Sequence, residues 1–417
     1  MFKTLINAFK MPDLRKKLLF TLFMLIVFQL GTVVPVPGIE KDALKSLLGI
    51  GDASGSLFNL VNILSGNAMQ NASIFAMSIT PYVNSSIIMQ LLAVAIPALE
   101  RLSKEGEEGR KVIAKWTRYG TVILAFIQAA GLYISLNNSG ALELTGLIGF
   151  VTITLSFTAG TAFLMWIGEQ ITEKGIGNGI SVIIFAGIVT SGPQLIASFW
   201  VQLMTNWIVA VLMLILCLAV VVFVVMINDA ERRIPVQYAK RVVGRKMYGG
   251  QNSHIPFKVS MAGVIPIIFA SSILSFPATI ARLFSTNQPA WITNFMTSPL
   301  YAILYFLLII FFTFFYTAMM YNPIEMANNI KGNGGFIPGI RPGKPTSDYI
   351  TKTMNKVTVI GSVAIALIAV LPILMSQGNI SVSFGGTSLL ILVGVAIETY
   401  RQLESQMIMR NYKGFLD

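Results

Sequence analysis

The sequence predicts an all-α membrane protein of ten spans, arranged as two five-helix halves in opposite orientation. Three observations predict it. The 417 residues are 54% hydrophobic and 12% charged, with a mean hydropathy of +0.72. The charges gather between apolar runs, and a run of about 18 or more apolar residues is long enough to cross a bilayer as a helix. Ten such runs occur, at 18–37, 74–98, 119–136, 146–168, 179–199, 207–227, 259–280, 299–320, 357–375 and 384–400. Five fall in residues 1–200 and five in 201–417. An odd number of spans per half forces the halves into opposite orientations, which permits an inverted repeat.

The elements follow in order. Arg15, Lys16 and Lys17 precede the first run, which spans without a small-residue cleavage site and so reads as retained. The segment 38–73 holds SLFNLVNILSG, in which Leu57, Phe58, Leu60, Val61, Ile63 and Leu64 fall at helical spacing with Asn59 and Asn62 opposite. It is too short to span, so it lies on the membrane surface or folds back into a cavity. The second run is interrupted by MSITPYVNSS. Pro81 removes a backbone N–H there, and Thr80, Asn84, Ser85 and Ser86 crowd around it. The plain account is a proline kink whose freed carbonyls are met by Ser and Thr. The fifth run is the weakest, glycine-rich and broken by Pro193. In the seventh, Pro266 is followed by IIFA and then Ser271 and Ser272, much as Pro81 is followed by YVN and two serines. The second and seventh runs would be symmetry mates.

Two connections are long, 228–258 and 322–356. The first carries ERRIPVQYAKRVVGRKMYGG, with Arg232, Arg233, Lys240, Arg241, Arg245 and Lys246; the second carries GGFIPGIRPGKP around Arg341. Glycine and proline cannot continue a helix here, so turn residues are expected to set the second loop's shape without a packed core. Functional groups are often held on such loops.

Basic residues decide orientation. With the N-terminus inside, only Lys41, Lys45 and Arg282 of the 30 Lys and Arg fall outside. Both termini and both long loops are then cytoplasmic. Most of those charges need no role beyond topology.

The chemistry that is missing narrows the function. Glu169, Arg282 and Glu398 stand at span ends, and the spans are otherwise almost free of ionisable groups, whereas ion-coupled carriers usually keep such groups in mid-membrane. GIGNG lacks the Lys-Ser/Thr of a phosphate-binding loop, no H-E-x-x-H occurs, and the sole histidine, His254, is in a loop. Cys217 stands alone, so neither an intrachain disulfide nor a thiolate metal site is expected. No cofactor and no enzyme activity are expected, and anything that moves through this protein must be pushed by a partner. An inverted-repeat solute transporter is the alternative reading.

Several long motifs carry a resemblance. LRKKLLFTLFMLIVFQLGTVVPVPGI, ASIFAMSITPYVNSSIIMQLL, KEGEEGRKVIAKWTRYGT, GEQITEKGIGNGISVIIFAGIV, RRIPVQYAKR, HIPFKVSMAGVIPIIFASSI and GGFIPGIRPGKPT occur in that order. Over essentially its whole length the sequence resembles the SecY/Sec61-alpha family, channel subunits of the Sec protein translocon. The resemblance implies two pseudo-symmetric halves around an hourglass pore in the plasma membrane of a bacterium. It implies an aliphatic pore ring of Ile79, Val83, Ile180, Ile184, Ile268 and Ile391; independently, 79/83 and 180/184 are i, i+4 pairs on single helix faces. It implies a plug helix at about 55–70 over the outer funnel. It also implies a lateral gate between the second and seventh spans, with Thr80, Pro81, Asn84, Ser85 and Ser86 on one lip and Ser271 and Ser272 on the other. Ser85 and Ser271 are taken as facing positions. The implied partners are the SecE and SecG subunits, the motor ATPase SecA and the ribosome on the basic loops, signal sequences and unfolded secretory polypeptides, and membrane lipid. Val83 departs from the isoleucine more usual at its position.

Overall fold

The computed structural model describes residues 8–40, 62, 65–138, 140–238, 241–243, 246–248, 252–284, 295, 298–377 and 386–413. Each of the ten apolar runs carries helix. α1 (Pro12–Gly31) starts on a proline, whose missing N–H costs nothing in a first turn. It ends in a turn at Thr32 and Val33, and 34–36 then run beside 72–74, with Val36 N–H on the Ala72 carbonyl at 2.9 Å and Ile74 N–H on the Val34 carbonyl at 3.1 Å.

The second run departs most from expectation. Residues 65–79 form turns, with Ala72 and Ser78 at positive φ, and α2 (Thr80–Ala95) begins only at Thr80. Pro81 therefore occupies the first helical turn and is not a kink in mid-helix. Pro97 forces Ile96 into extended backbone, so α3 (Pro97–Lys104) leaves at 107°.

α4 (Glu107–Asn138), α5 (Gly146–Lys174) and α8 (Trp207–Asp229) are continuous, while α6 (Gly179–Thr190) and α7 (Gly192–Thr205) run on as one span. After α8 come β1 (Glu231–Tyr238), the hairpin β2 (Arg241–Val243) and β3 (Lys246–Tyr248), and β4 (Asn252–Lys258). The chain continues through α9 (Ile265–Phe284), α10 (Pro299–Met320), α11 (Pro323–Gly332), β5 (Gly335–Phe336), α12 (Lys344–Gln377) and α13 (Gly386–Lys413). Pro266, like Pro81, lies in a first turn.

Among the described residues six helical stretches are long and apolar enough to cross a membrane, and α2 with α3 makes a seventh if the bent pair is one span. α1, α9 and α13 account for the other three runs. One apolar core joins α1, α2, α5, α6, α8, α9, α10, α12 and α13. Its outer faces stay apolar: Trp207, Ile215 and Leu218 on α8 and Leu300 and Leu307 on α10 are more than half exposed. That pattern suits lipid and would be costly in water.

Candidate functional site

The residues expected at the waist sit at or near helix starts. Ile79 caps α2 and Val83 follows one turn on, both buried. Ile180 and Ile184 lie on the first turns of α6, the former half-buried and the latter buried. Ile268 is half-buried early in α9, and Ile391 is buried in α13. All six belong to, or pack against, the one central apolar cluster, and none carries a polar side-chain atom.

Local chemistry holds α6 in place. Asn178 accepts the Ile180 N–H at 3.1 Å, capping the helix, and Thr172 Oγ1 accepts the Gly179 N–H at 2.9 Å. A Cβ on Gly179 would overlap the Gly168 carbonyl. Glycine at 179 thus lets α6 start flush against α5, and Ile180 and Ile184 inherit that position.

α2 and α9 pack against each other, and α9 also packs on α4. The polar row on α2 does not turn as a unit toward α9. Ser85 is buried against α4, donating to the Thr117 carbonyl at 2.8 Å, and a Cβ on Gly120 would stand 2.5 Å from its Oγ. The small residue at 120 opens a seat on α4, and Ser85 takes it. Ser86 accepts from Gln90 Nε2 at 3.2 Å, and Ser271 donates to Ile268 of its own helix at 2.9 Å. Pro81, Asn84 and Ser272 are buried, and Thr80 is half-buried. Leu57, Phe58, Leu60, Val61, Ile63 and Leu64 lie outside the described residues.

The two long loops form a single platform, which corrects the expectation of a loop without a core. β1 pairs antiparallel with β4 on one side and with β5, from the other loop, on the other. Ile234, Val236, Phe257, Ala327, Ile330, Ile337 and Ile350 pack beneath the sheet. The signal was present in the alternation within ERRIPVQY, where Ile234 and Val236 are buried and Arg233 and Pro235, on the other face, are exposed. A side chain on Gly335 would meet the Tyr238 ring at 2.8 Å, so glycine permits the β1–β5 pairing.

Arg341 stands exposed at the platform's tip. Its backbone is fixed: buried Thr346 donates Oγ1–H to the Arg341 carbonyl at 2.9 Å, and Ser347 N–H bonds to Gly343 at 3.1 Å. Gly339 and Gly343, at φ +79° and +107°, supply conformations that other residues resist. Sequence reasoning missed Thr346; the only cue was a Thr five residues after the arginine at a helix start. Arg232 is exposed, and Arg233 Nε pairs with Glu231 at 2.6 Å. Arg241 and Lys246 lie on the β2–β3 hairpin, and Lys240 and Arg245 fall outside the described residues. At the platform's base, burial pulls the Lys258 ammonium below its usual range; Arg401 adds to this, and Glu231, Glu398 and Asp229 oppose it. Arg401 of α13 bonds the Asn228 carbonyl at 2.9 Å and pairs with Asp229. Among the described residues no group of His, Cys, Asp or Glu is placed to hold a metal.

Fold and site define a polytopic helical membrane protein with a large apolar core and a basic platform built from its two long loops. The SecY family model matches residues 73–400, and the chain belongs to that family. It is 47% identical to the protein translocase subunit SecY of Halalkalibacterium halodurans and to that of Bacillus subtilis, each alignment covering 100% of both chains. Among solved structures it resembles "The structure of a protein conducting channel" at a TM-score of 0.67 and 19% identity, over 94% of this chain and 93% of that one. It also resembles Sec61 in the canine ribosome-channel complex of the endoplasmic reticulum, at 0.62 and 17%, over 94% and 93%. At those identities the structural likeness speaks for the fold.

Proposed function

We propose that this chain is the passive protein-conducting channel of a bacterial plasma membrane, with both termini cytoplasmic. It passes unfolded secretory polypeptides across the membrane and releases hydrophobic segments sideways into lipid. The observation that carries this reading is the convergence of Ile79, Val83, Ile180, Ile184, Ile268 and Ile391 on one apolar cluster between helices of both halves. An aliphatic waist closes around a chain without binding any one sequence, because it offers no hydrogen bonds. It also resists ions, since a dry constriction excludes hydrated charge.

The two halves, 1–200 and 201–417, clamp around that waist, and residues 57–64 close the outer funnel at rest. Signal sequences enter between α2 and α9. SecE and SecG complete the complex. The platform receives SecA or the ribosome, and relatives' architecture supports the latter, since Sec61 is seen in a ribosome-channel complex. Arg341 is the group that engages the motor: a planar five-donor fork suits carboxylate or phosphate. The surrounding cations supply salt-sensitive attraction.

A photo-crosslinker at Ile184 tests the channel. It should capture an arrested secretory chain in vesicles, while one at the lipid-facing Ile215 should not. Equal capture at both positions, or none at Ile184, would sink the assignment of the waist.

A further inference from the structure

One face of α13 runs from the apolar core to the base of the platform. Ile391, Gly394, Glu398 and Arg401 fall at i, i+3, i+7 and i+10, which puts them on a single side of the helix. Ile391 is buried in the central core. A Cβ on Gly394 would stand 2.4 Å from Val264 Cγ2, so glycine lets α13 lie flush against the residue that leads into α9. The Val264 carbonyl in turn accepts the N–H groups of Ile267 and Ile268, at 3.1 and 3.4 Å.

Farther along the same face, charge takes over. Arg401 donates from Nη2 to the Asn228 carbonyl at 2.9 Å and pairs with the Asp229 carboxylate, both at the end of α8. A cation there also suits the negative end of the helix dipole. Glu398 attracts the Lys258 ammonium, which Arg401 repels. α13 thus offers an anion and a cation, one turn apart, to a cation and an anion. Asp229 and Lys258 frame the neck of the platform: Glu231 and Lys258 are cross-strand partners, and Val259 N–H closes the neck on the Ala230 carbonyl at 2.9 Å. Between neck and α9, Gly263 turns the chain at φ +61°, with open space where a Cβ would be. It lines a cavity with Asn228, Ser260, Val264 and Leu390, so the start of α9 has room to shift.

We infer that Arg401 is a positioning residue for transport: with Glu398 it grips the neck of the platform, and the same face of α13 carries the neck's position to the start of α9 and to Ile391. A partner that tilts the platform then moves α9 and the waist together. This rests on the reading that the platform receives the motor. Arg401 acts at the base and Arg341 stands at the tip, so coupling and docking are separable.

The test measures export of a secretory chain into inverted vesicles that hold the whole complex, over a range of SecA concentrations. Arg401→Gln should lower the maximal rate about fivefold, with the SecA concentration for half-maximal rate unchanged. Arg401→Lys keeps a cation beside the Asn228 carbonyl and Asp229, and should restore most of the rate. An unchanged maximal rate in Arg401→Gln overturns the inference. So does an equal loss in the Gln and Lys variants, and so does a raised half-maximal concentration, which would make Arg401 part of docking. If Arg401→Gln does not accumulate, Asp229→Asn removes the charge partner and is read the same way. Arg341→Glu runs beside them: normal export in that variant, with the loss in Arg401→Gln intact, would overturn docking at the tip and leave the role of Arg401 standing.

Discussion

Replacing Thr346 by valine should weaken motor engagement without touching a charge. Thr346 is 1% exposed, at the start of α12, and its hydroxyl is bonded to the Arg341 carbonyl at 2.9 Å. Valine nearly matches its shape, so packing is kept and only the bond is lost. A net intramolecular hydrogen bond is worth about 0.5–1.5 kcal/mol. The Arg341 backbone lies at an exposed tip, where water can replace the lost donor, which places the cost toward the lower end. In terms of populations that is roughly a two- to tenfold loss of the ordered tip. The assay is export of a secretory chain into inverted vesicles, read as the SecA concentration giving half-maximal rate. Thr346→Val should raise that concentration by the same factor, and Thr346→Ser should restore it. As controls, Arg341→Glu should abolish export and Arg341→Lys should impair it, with normal insertion and assembly. Wild-type behaviour of Thr346→Val alongside failure of Arg341→Glu would refute the claim that tip order matters to the arginine's work.

Ile184→Asn should relax discrimination at the waist, because burying an unpartnered amide in the shut state costs about 1–3 kcal/mol; export of a chain with a defective signal should rise, and tighter discrimination would remove Ile184 from the waist. Gly120→Ala should destabilise the α2–α4 seam, since the new methyl would stand 2.5 Å from Ser85 Oγ. Thermal stability in detergent should fall and recover in Gly120→Ala/Ser85→Ala, and a double variant no better than the single one would show that the clash is not the cause.

The ten helical runs were legible because a bilayer imposes length and apolarity on any segment that crosses it. Where each helix begins was not. Ile74 to Met77 read as part of a span, yet they lie in turns and are mostly buried in protein. Phe75 stacks on Phe28 and Phe163, with centroids 6.1 Å away in each case. Hydropathy cannot separate a side chain buried against protein from one that faces lipid. Proline was equally ambiguous: the same Pro81 makes a kink in mid-helix and a good start in a first turn, and the chain before it decides. In the loops, glycine and proline drew the eye to Arg341 and away from the alternation in β1. Strand pairing between segments some hundred residues apart leaves no local trace.

The position of Ser85 changes what parting of α2 from α9 would require. Ser85 bonds α4, and Gly120 gives it room, so α2 and α4 are joined by a buried hydrogen bond. Thr117 is itself tied into α4, donating to the Ile113 carbonyl at 2.9 Å, while its own carbonyl accepts from both Ser85 and Thr121 at 2.8 Å. α9 meanwhile packs on both α2 and α4. If α2 moved alone, it would leave a buried serine hydroxyl unpartnered in an apolar setting, at about 1–3 kcal/mol. If α2 and α4 moved together, that bond would survive and the packing contacts to α9 would be lost. Those contacts are replaceable: a hydrophobic segment entering the seam restores them, and lipid does so partly. A lip made of α2 with α4, against α9, therefore opens at lower cost than a lip made of α2 alone. The polar row on α2 then serves two ends, with Ser85 holding the lip together and the polar side chains beside it available when the seam meets water.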